Sequence, residues 1–259
     1  MFKPGGWNDL PRHSNRVAEL HSLQWGSCAS GAKGYRFESF RAYHSSAVTT
    51  SQLEKLFERV VRRFRARRMR RFAAAFAIHG ETTILDVGGT ALNWSLLPAR
   101  PRLVFLNTGR EHRDAGFTWV VGDGCALPFR DQAFDIAYSN SVIEHVGSED
   151  RQRAFAAEIA RVGRRYWVQT PNRRFPIEPH LLTPLLHWLP RRVQRWLAPR
   201  FTLWAALVRP SRDRHEFYIR HYLNDIRLLS AADLRRLFPG ARMIRERLLG
   251  LTKSLIAVR

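Results

Sequence analysis

The stretch Ile84-Leu85-Asp86-Val87-Gly88-Gly89 decides the fold of this chain, because a short apolar run with one acid passes directly into two glycines. The run predicts a buried strand, and the glycines predict a tight turn after it. In an open α/β sheet, ligands bind beyond the carboxyl ends of the strands. We therefore expect Asp86, Gly88 and Gly89 to border a ligand site.

Further apolar runs follow at intervals that suit a parallel sheet. They cover residues 103–106, 118–121, 134–138 and 166–169, with two more at 241–249 and 254–258 and a helical stretch at 141–162. Short buried strands that alternate with helices or compact connections predict a sheet covered on both faces. The last run, 254–258, is predicted to be an edge strand.

Polar side chains stand where these runs end. Asn107 ends the second run, 21 residues after Asp86, where a ribose-binding side chain belongs in such folds. Asp123 ends the third run, where a carboxylate can accept a hydrogen bond from an exocyclic amino group. Asn140 ends the fourth run and is followed by a helical stretch. The spacing predicts that these side chains share one edge of the sheet.

Residues 120–146, VVGDGCALPFRDQAFDIAYSNSVIEHV, resemble the third- and fourth-strand region of class I S-adenosylmethionine-dependent methyltransferases, and ILDVGG resembles their first motif. The resemblance covers residues 82–172 and is to the small-molecule, methyltransferase-11-like type. It implies a Rossmann-like, seven-stranded, mostly parallel α/β sheet with helices on both faces, and S-adenosylmethionine as cofactor. The cofactor-binding residues that it implies are Asp86, Gly88, Gly89, Asn107, Asp123, Gly124 and Asn140.

Each of these positions has an implied place around the cofactor. Asp86 and Gly88 would lie at its methionine end, Asn107 at the ribose, Asp123 at the adenine and Asn140 near the sulfonium. The sequence departs from the family pattern at two positions, so cofactor binding is expected to persist in a weakened form. Thr90 follows Gly89 where more glycines are usual, and Asn107 replaces an acid that would form a stronger, charge-assisted bond. A catalytically inactive relative is therefore an alternative.

His145 is the predicted catalytic residue. It follows the fourth strand, and its ordinary pKa of about 6.5 suits a general base for a hydroxyl acceptor. A histidine that only bonds to backbone is the alternative, and Glu144 is expected to be structural. The Glu-His pair also occurs in ubiquinone-pathway O-methyltransferases, where an upstream Glu helps to hold a metal. Ser141 stands at that position here, so no metal is predicted.

The segment after the fifth strand is predicted to form the acceptor side. Residues 169–180 contain three prolines and varied polar groups, and Glu178 and His180 are second-choice proton acceptors there. Residues 181–225 are predicted to form a helical insertion or lid in which tryptophans alternate with arginines. Such a mixture favours a membrane-surface patch, with a helical cap whose tryptophans fill its own core as the alternative.

The 259-residue chain carries a formal net charge of +21, which favours polyanionic partners: nucleic acid, an anionic membrane or acidic substrates. Residues 1–50 are predicted to be an irregular extension, and 51–259 the methyltransferase domain. Within that domain, 51–80 are predicted to form a basic leading helix that begins at a Ser51–Glu54 capping box. Its arginine-rich face is predicted to be solvated, with phosphate contact as the alternative. Two cysteines and no apolar run of membrane-spanning length predict a cytoplasmic protein, with peripheral membrane contact as a further expectation.

These observations predict an S-adenosylmethionine-dependent methyltransferase that acts on a small-molecule or lipid-like acceptor, at a hydroxyl oxygen. Two alternatives stay open. One is an RNA methyltransferase, which the charge favours, although no RNA-binding module is recognisable and Thr170-Pro171-Asn172 is not the tetrad of many amino-nitrogen methylating enzymes. The other is an inactive protein of the same fold that binds membrane or nucleic acid.

Overall fold

The computed structural model describes residues 52–109 and 116–259, with side chains from residue 62 onward. The predicted extension at residues 1–50 and the Ser51 capping box lie outside the described residues. No helix in the described part of the chain is long and apolar enough to cross a membrane.

A seven-stranded sheet forms the centre of the molecule. Its strands are β1 (Thr83–Val87), β2 (Arg102–Asn107), β3 (Thr118–Val121), β4 (Phe134–Asn140), β5 (Gly163–Pro171), β8 (Arg242–Leu248) and β9 (Leu251–Val258). The order is β3-β2-β1-β4-β5-β9-β8. Strands β1 to β5 are parallel, and β9 runs antiparallel to both of its neighbours. This architecture confirms the predicted seven-stranded, mostly parallel α/β sheet.

Helices cover both faces of the sheet. The helices are α1 (Gln52–Phe76), α2 (Ala91–Trp94), α3 (Glu149–Val162), α4 (Arg191–Leu197), α5 (Leu203–Val208), α6 (Arg212–Asn224) and α7 (Ala231–Leu237). Alternate residues of each strand face opposite sides, so Ile84 packs in the α1 layer and Leu85 in the α3–α7 layer. A small hairpin, β6 (Ile177–Glu178) and β7 (Thr183–Pro184), precedes α4.

Three sequence predictions need correction. Strand β9 is not an edge strand, because it lies between β5 and β8 and Leu255 to Val258 are buried. The stretch 141–162 is not one helix, since a short 3-10 helix (Ile143–His145) and a loop precede α3, which starts at a Ser148 cap. The leading helix α1 ends at Phe76 rather than near residue 80.

Segment 177–229 packs around a small core of its own. Leu181, Leu186, Trp204, Ile219 and Tyr222 are buried there together with neighbouring residues. Backbone bonds from Arg227 N to Glu144 O and from Arg173 N to Leu229 O join this segment to the loops that follow β4 and β5. The segment therefore lies at the carboxyl end of the sheet.

Candidate functional site

The glycine turn after β1 closes over the carboxyl group of Asp86. A Cβ added to Gly89 would lie 1.9 to 2.2 Å from the Asp86 carboxyl atoms, which no side chain can tolerate. Gly88 has a φ of +78°, and its Cβ would meet Val142 at 2.6 Å. Both positions therefore require glycine, Gly88 for its backbone conformation and for space, and Gly89 for space alone.

The Asp86 carboxylate is fully buried and only half satisfied. Its Oδ2 accepts a hydrogen bond of 2.7 Å from Trp94 Nε1. Its Oδ1 is buried without a hydrogen-bond partner. Burial raises the pKa of Asp86 to about 7, against the opposing effect of the Trp94 bond. An orphaned buried acceptor of this kind can receive a donor from a ligand.

Two further predicted residues lie along the same edge of the sheet. Asn107 Nδ2 donates to Gly89 O at 3.0 Å, which directs the amide toward the glycine turn and leaves Oδ1 as the atom for a ligand hydroxyl. Asp123 accepts from Cys125 N at 2.9 Å and from Arg151 Nη2 at 2.9 and 3.0 Å. Burial tends to raise the pKa of Asp123, but these donors outweigh it and lower the pKa. Asp123 is therefore ionised and still partly exposed.

Gly124 continues this edge behind Asp123. A Cβ there would lie 2.8 Å from the Phe155 ring, so α3 packs directly against the backbone. A larger residue would push the β3–β4 loop away from the helix. The glycine thus fixes the position of the Asp123 carboxylate.

Arg68 of α1 reaches the carboxyl ends of β4 and β5. Its guanidinium pairs with Glu246 at 2.9 and 2.5 Å, and Nη1 also donates to Asn140 Oδ1 at 2.5 Å and to Gln169 Oε1 at 3.0 Å. Burial opposes its charge, but the bond with Glu246 raises the pKa of Arg68. The prediction of a solvated arginine face on α1 is wrong for Arg68, which is buried.

Asn140 therefore lies in a fixed environment at the end of β4. The Arg68 bond orients its amide, and the next residue, Ser141, has a left-handed φ of +56°. Non-glycine residues adopt this conformation rarely, and they concentrate at functional sites. Ser141 Oγ donates to Gln169 Oε1 at 2.9 Å, which holds the turn against β5.

Beyond this turn, three histidines form a continuous chain. His145 Nε2 lies 3.2 Å from His180 Nε2, and His145 Nδ1 lies 3.1 Å from His221 Nε2. A carboxylate stands at each end, with Glu178 Oε1 2.6 Å from His180 Nδ1 and Asp225 Oδ2 2.8 Å from His221 Nδ1. We call these five side chains the histidine chain.

The charges of the histidine chain follow from its neighbours. Burial, with the nearby His180 and His221, lowers the pKa of His145 well below 6.5. Burial also opposes the charge of His180, but the charge and hydrogen bond of Glu178 raise its pKa. Of these two histidines, His180 therefore carries a proton more readily, so its Nε2–H can donate to a neutral His145, whose Nδ1–H can donate to His221 Nε2.

Glu144 lies directly behind the histidine chain. It is fully buried, and burial raises its pKa to about 7. Its Oε2 accepts from Thr170 Oγ1 at 3.0 Å, while Oε1 has no hydrogen-bond partner and lies 3.9 Å from His145 Nε2. Glu144, His145 and His180 offer three ligand atoms within 4.8 Å of one another, so they could hold a metal ion. From the sequence, only position 141 was weighed as a metal ligand. The set Glu144, His145 and His180 was not predicted.

Three side chains of this site were not predicted from the sequence. Trp94, Arg68 and His221 reach it from α2, α1 and α6, which are far apart in the sequence. Of the three, only His221 could have been predicted from the sequence, because His221 and Asp225 are four residues apart and therefore lie on one face of a helix. Nothing distinguishes Arg68 from the arginines around it.

Comparison with known proteins agrees with this geometry. A family model described as a methyltransferase domain matches residues 98–165. Among solved structures, magnesium protoporphyrin IX methyltransferase of Synechocystis PCC 6803 with bound SAH is 12% identical, with a TM-score of 0.53 over 85% of this chain and 92% of that one. A possible exported protein of Bordetella parapertussis is 16% identical, with a TM-score of 0.52 over 85% of this chain and 77% of that one. Among curated proteins, none matches the sequence.

The sheet, the glycine turn and its ring of polar side chains define an α/β protein of the methyltransferase class. The sheet has the fold of the class I S-adenosylmethionine-dependent methyltransferases, and the methyltransferase-domain model matches residues 98–165 within it. S-adenosylmethionine is the cofactor that this fold implies, and when bound it would supply an electrophilic methyl group.

The residues at the glycine turn fit this cofactor. Asp86 Oδ1 is an unpaired buried acceptor for a cationic amine, and Gly88 and Gly89 let the backbone approach closely. Asn107 Oδ1 can accept from a hydroxyl, and the ionised Asp123 can accept from an amino group.

Proposed function

We propose that this methyltransferase transfers the methyl group to a hydroxyl oxygen of a small-molecule or lipid-like acceptor. The observation that carries the proposal is the histidine chain, in which a neutral His145 lies in the short helix after β4 and between two other histidines. A hydroxyl is a weak nucleophile until it loses a proton, and amines and thiolates have less need of a base. A route that accepts a proton and moves it away therefore favours oxygen.

The geometry supports a route for the proton from His145 to solvent. His145 Nε2 accepts from His180 in the free protein, and an acceptor hydroxyl would compete for the same lone pair. When Nε2 takes a proton, Nδ1–H can pass to His221, 3.1 Å away. The side chain of His221 is 24% exposed, and its Nδ1 lies 2.8 Å from Asp225 Oδ2. His145 is thus the proton acceptor, and His221 with Asp225 the exit.

Replacing His145 by alanine is expected to lower kcat on the order of 100-fold. This is the lower end of the range for loss of a general base, because His180 and His221 of the histidine chain remain. The dissociation constant for S-adenosylmethionine should not change. The measurement follows the transfer of labelled methyl groups from S-adenosylmethionine to a panel of phenols and long-chain alcohols. Each acceptor is compared with its amino analogue. His79→Ala is the matched control, since His79 is an exposed histidine at the amino end of β1.

Two results would contradict this function, and a third would contradict the proton route. Preferential labelling of the amino analogues would exclude oxygen as the target. Labelling of RNA rather than of any small acceptor would support the alternative that the net charge suggests. Activity that is lost with a chelator and restored by a divalent ion would make Glu144, His145 and His180 metal ligands instead of a proton route.

Cofactor affinity is expected to rise with pH between about pH 6 and pH 8, because of Asp86. The pKa of Asp86 is about 7 in the free protein, so the carboxyl group is half protonated there. A bound cationic amine favours the ionised form and lowers this pKa, so binding below pH 7 must first release a proton. The affinity should fall by up to about tenfold per pH unit on the acid side. Calorimetric titration of the native protein and Asp86→Asn measures this slope, and an equally steep slope in Asp86→Asn would assign it to another group.

A further inference from the structure

Exposed apolar side chains concentrate on the segment between β7 and α6. Of the thirteen large hydrophobic side chains that the described part of the chain exposes, seven lie within residues 185–207. They are Leu185, Trp188, Val193, Trp196, Phe201, Leu203 and Leu207, and we call them the insertion face. Trp196 is 60% exposed and Phe201 is 59% exposed. Clusters of this kind on a surface mark a site of interaction.

The two helices of this segment each have an apolar side that does not face the core. In α4, Val193 and Trp196 are three residues apart and exposed, whereas Gln194 is buried. In α5, Leu203 and Leu207 are four residues apart and exposed, whereas Trp204 is buried. These spacings place each exposed pair on one side of its helix. Trp204 therefore lies in the core of segment 177–229, whereas Trp196 lies on its surface.

The sequence that carries the insertion face contains charges of one sign only. Residues 179–212 contain no aspartate or glutamate, and their arginines are Arg191, Arg192, Arg195, Arg200, Arg209 and Arg212, the last of which pairs with Glu216 of α6. The Arg200 guanidinium stands 5.2 Å from the centre of the Trp196 ring and donates to Trp196 O at 2.6 Å. Arginine next to exposed tryptophan suits the boundary between lipid headgroups and acyl chains, where the ring is buried and the charge meets phosphate.

We infer that the insertion face binds the surface of an anionic lipid bilayer. Apolar side chains alone would suit a second copy of this chain or another protein, but a dense set of arginines without acids disfavours self-association and fits a negatively charged surface. No helix of the described residues crosses a membrane, so the contact is peripheral. The bound segment would lie in the plane of the interface.

The segment that carries the insertion face lies between two members of the histidine chain in the sequence. His180 precedes β7, and His221 lies on α6, so the elements that flank the insertion face hold two of the three histidines. A protein docked by this face would hold its acceptor side near the lipid. An amphiphilic acceptor could then be methylated while its apolar part stays in the bilayer, an extension that rests on the proposed function.

The test is co-sedimentation of the full chain with vesicles of phosphatidylcholine and of phosphatidylcholine with about one quarter phosphatidylglycerol. We expect binding to the anionic vesicles alone, weakened at about 0.5 M salt because screening shortens the reach of the charges. Arg192→Glu with Arg195→Glu should weaken the partition at least tenfold, and Trp196→Ser with Phe201→Ser should do the same. These four side chains are exposed, so the variants should fold, which circular dichroism can check.

Two matched controls make the test specific. Arg62→Glu with Arg63→Glu changes the net charge equally on the exposed side of α1, and Leu249→Ser removes an apolar side chain that is 94% exposed elsewhere. Both controls should bind vesicles like the native chain. Equal losses from both arginine pairs would show that net charge, not the insertion face, drives binding and would overturn the inference.

Two further outcomes would overturn it as well. One is a dimer in analytical ultracentrifugation that Trp196→Ser with Phe201→Ser converts to monomers. The other is loss of RNA binding, with vesicle binding kept, in Arg192→Glu with Arg195→Glu. Vesicle binding needs neither cofactor nor acceptor. A protein that does not bind vesicles would therefore leave the proposed methyl transfer untouched. A protein that binds vesicles but transfers no methyl group would leave the lipid contact untouched.

Discussion

Gly89→Ala is expected to eliminate S-adenosylmethionine binding. The added Cβ would lie 1.9 Å from Asp86 Oδ2, and this carboxylate cannot move aside because it is fully buried and bound by Trp94. The turn must therefore shift outward into the space that the cofactor needs. Calorimetric titration should detect no binding up to about 1 mM cofactor.

The same substitution should cost stability without unfolding the protein. Overpacking of a tight interior typically costs about 1–3 kcal/mol, and thermal or urea unfolding measures it. Gly80→Ala is the matched control, because the nearest atom to a Cβ there is Arg100 O at 3.9 Å. The double variant Gly89→Ala with Asp86→Ala removes the clash, so it should regain stability while binding stays lost. Native affinity in Gly89→Ala would show that the cofactor does not use this turn.

The features that the sequence predicts well are local. ILDVGG combines an apolar strand and its turn in six consecutive residues, so β1, the glycine turn and Asp86 follow from the pattern alone. The ends of β2, β3 and β4 follow in the same way. Parallel strands bring these ends together, so predicting each strand correctly also predicts that the polar side chains at their ends share one edge of the sheet.

The position of the last strand could also have been predicted, from its charges. Strand β9 contains Ser-Leu-Ile-Ala-Val without interruption, which is typical of a strand covered on both faces. Strand β8 contains Arg-Met-Ile-Arg-Glu-Arg, and charged side chains are what protects an exposed edge. The last strand in the chain was predicted to be the edge strand because of its place in the chain order. The composition of the two strands instead predicts β8 as the edge strand.

The histidine chain and the Arg68 network could not be predicted, because they join residues far apart in the sequence. His145, His180 and His221 come from three elements, and Arg68 is 178 residues from Glu246. Their contacts depend on how α1 and the segment after β5 pack on the sheet. Local periodicity carries no information about that packing.

Glu246→Gln is expected to reduce the free energy of unfolding by about 3 kcal/mol. Removing one member of a buried ion pair leaves the other charge uncompensated, which typically costs about 3–5 kcal/mol. The lower value applies because Asn140 and Gln169 still accept from Arg68. Urea unfolding monitored by circular dichroism measures the change. Glu81→Gln is the control, since Glu81 pairs with Arg102 on the surface, where a pair is worth at most about 1 kcal/mol.

The double variant Arg68→Met with Glu246→Leu separates the stability of this ion pair from its function. Both charges are then gone, and apolar side chains of similar volume should recover most of the lost stability. Asn140 loses the donor that orients it, so cofactor affinity or kcat should stay low even in the stable protein. A double variant that is stable and fully active would show that Arg68 only supports packing. One that is stable but impaired would identify Arg68 as a positioning residue for the end of β4.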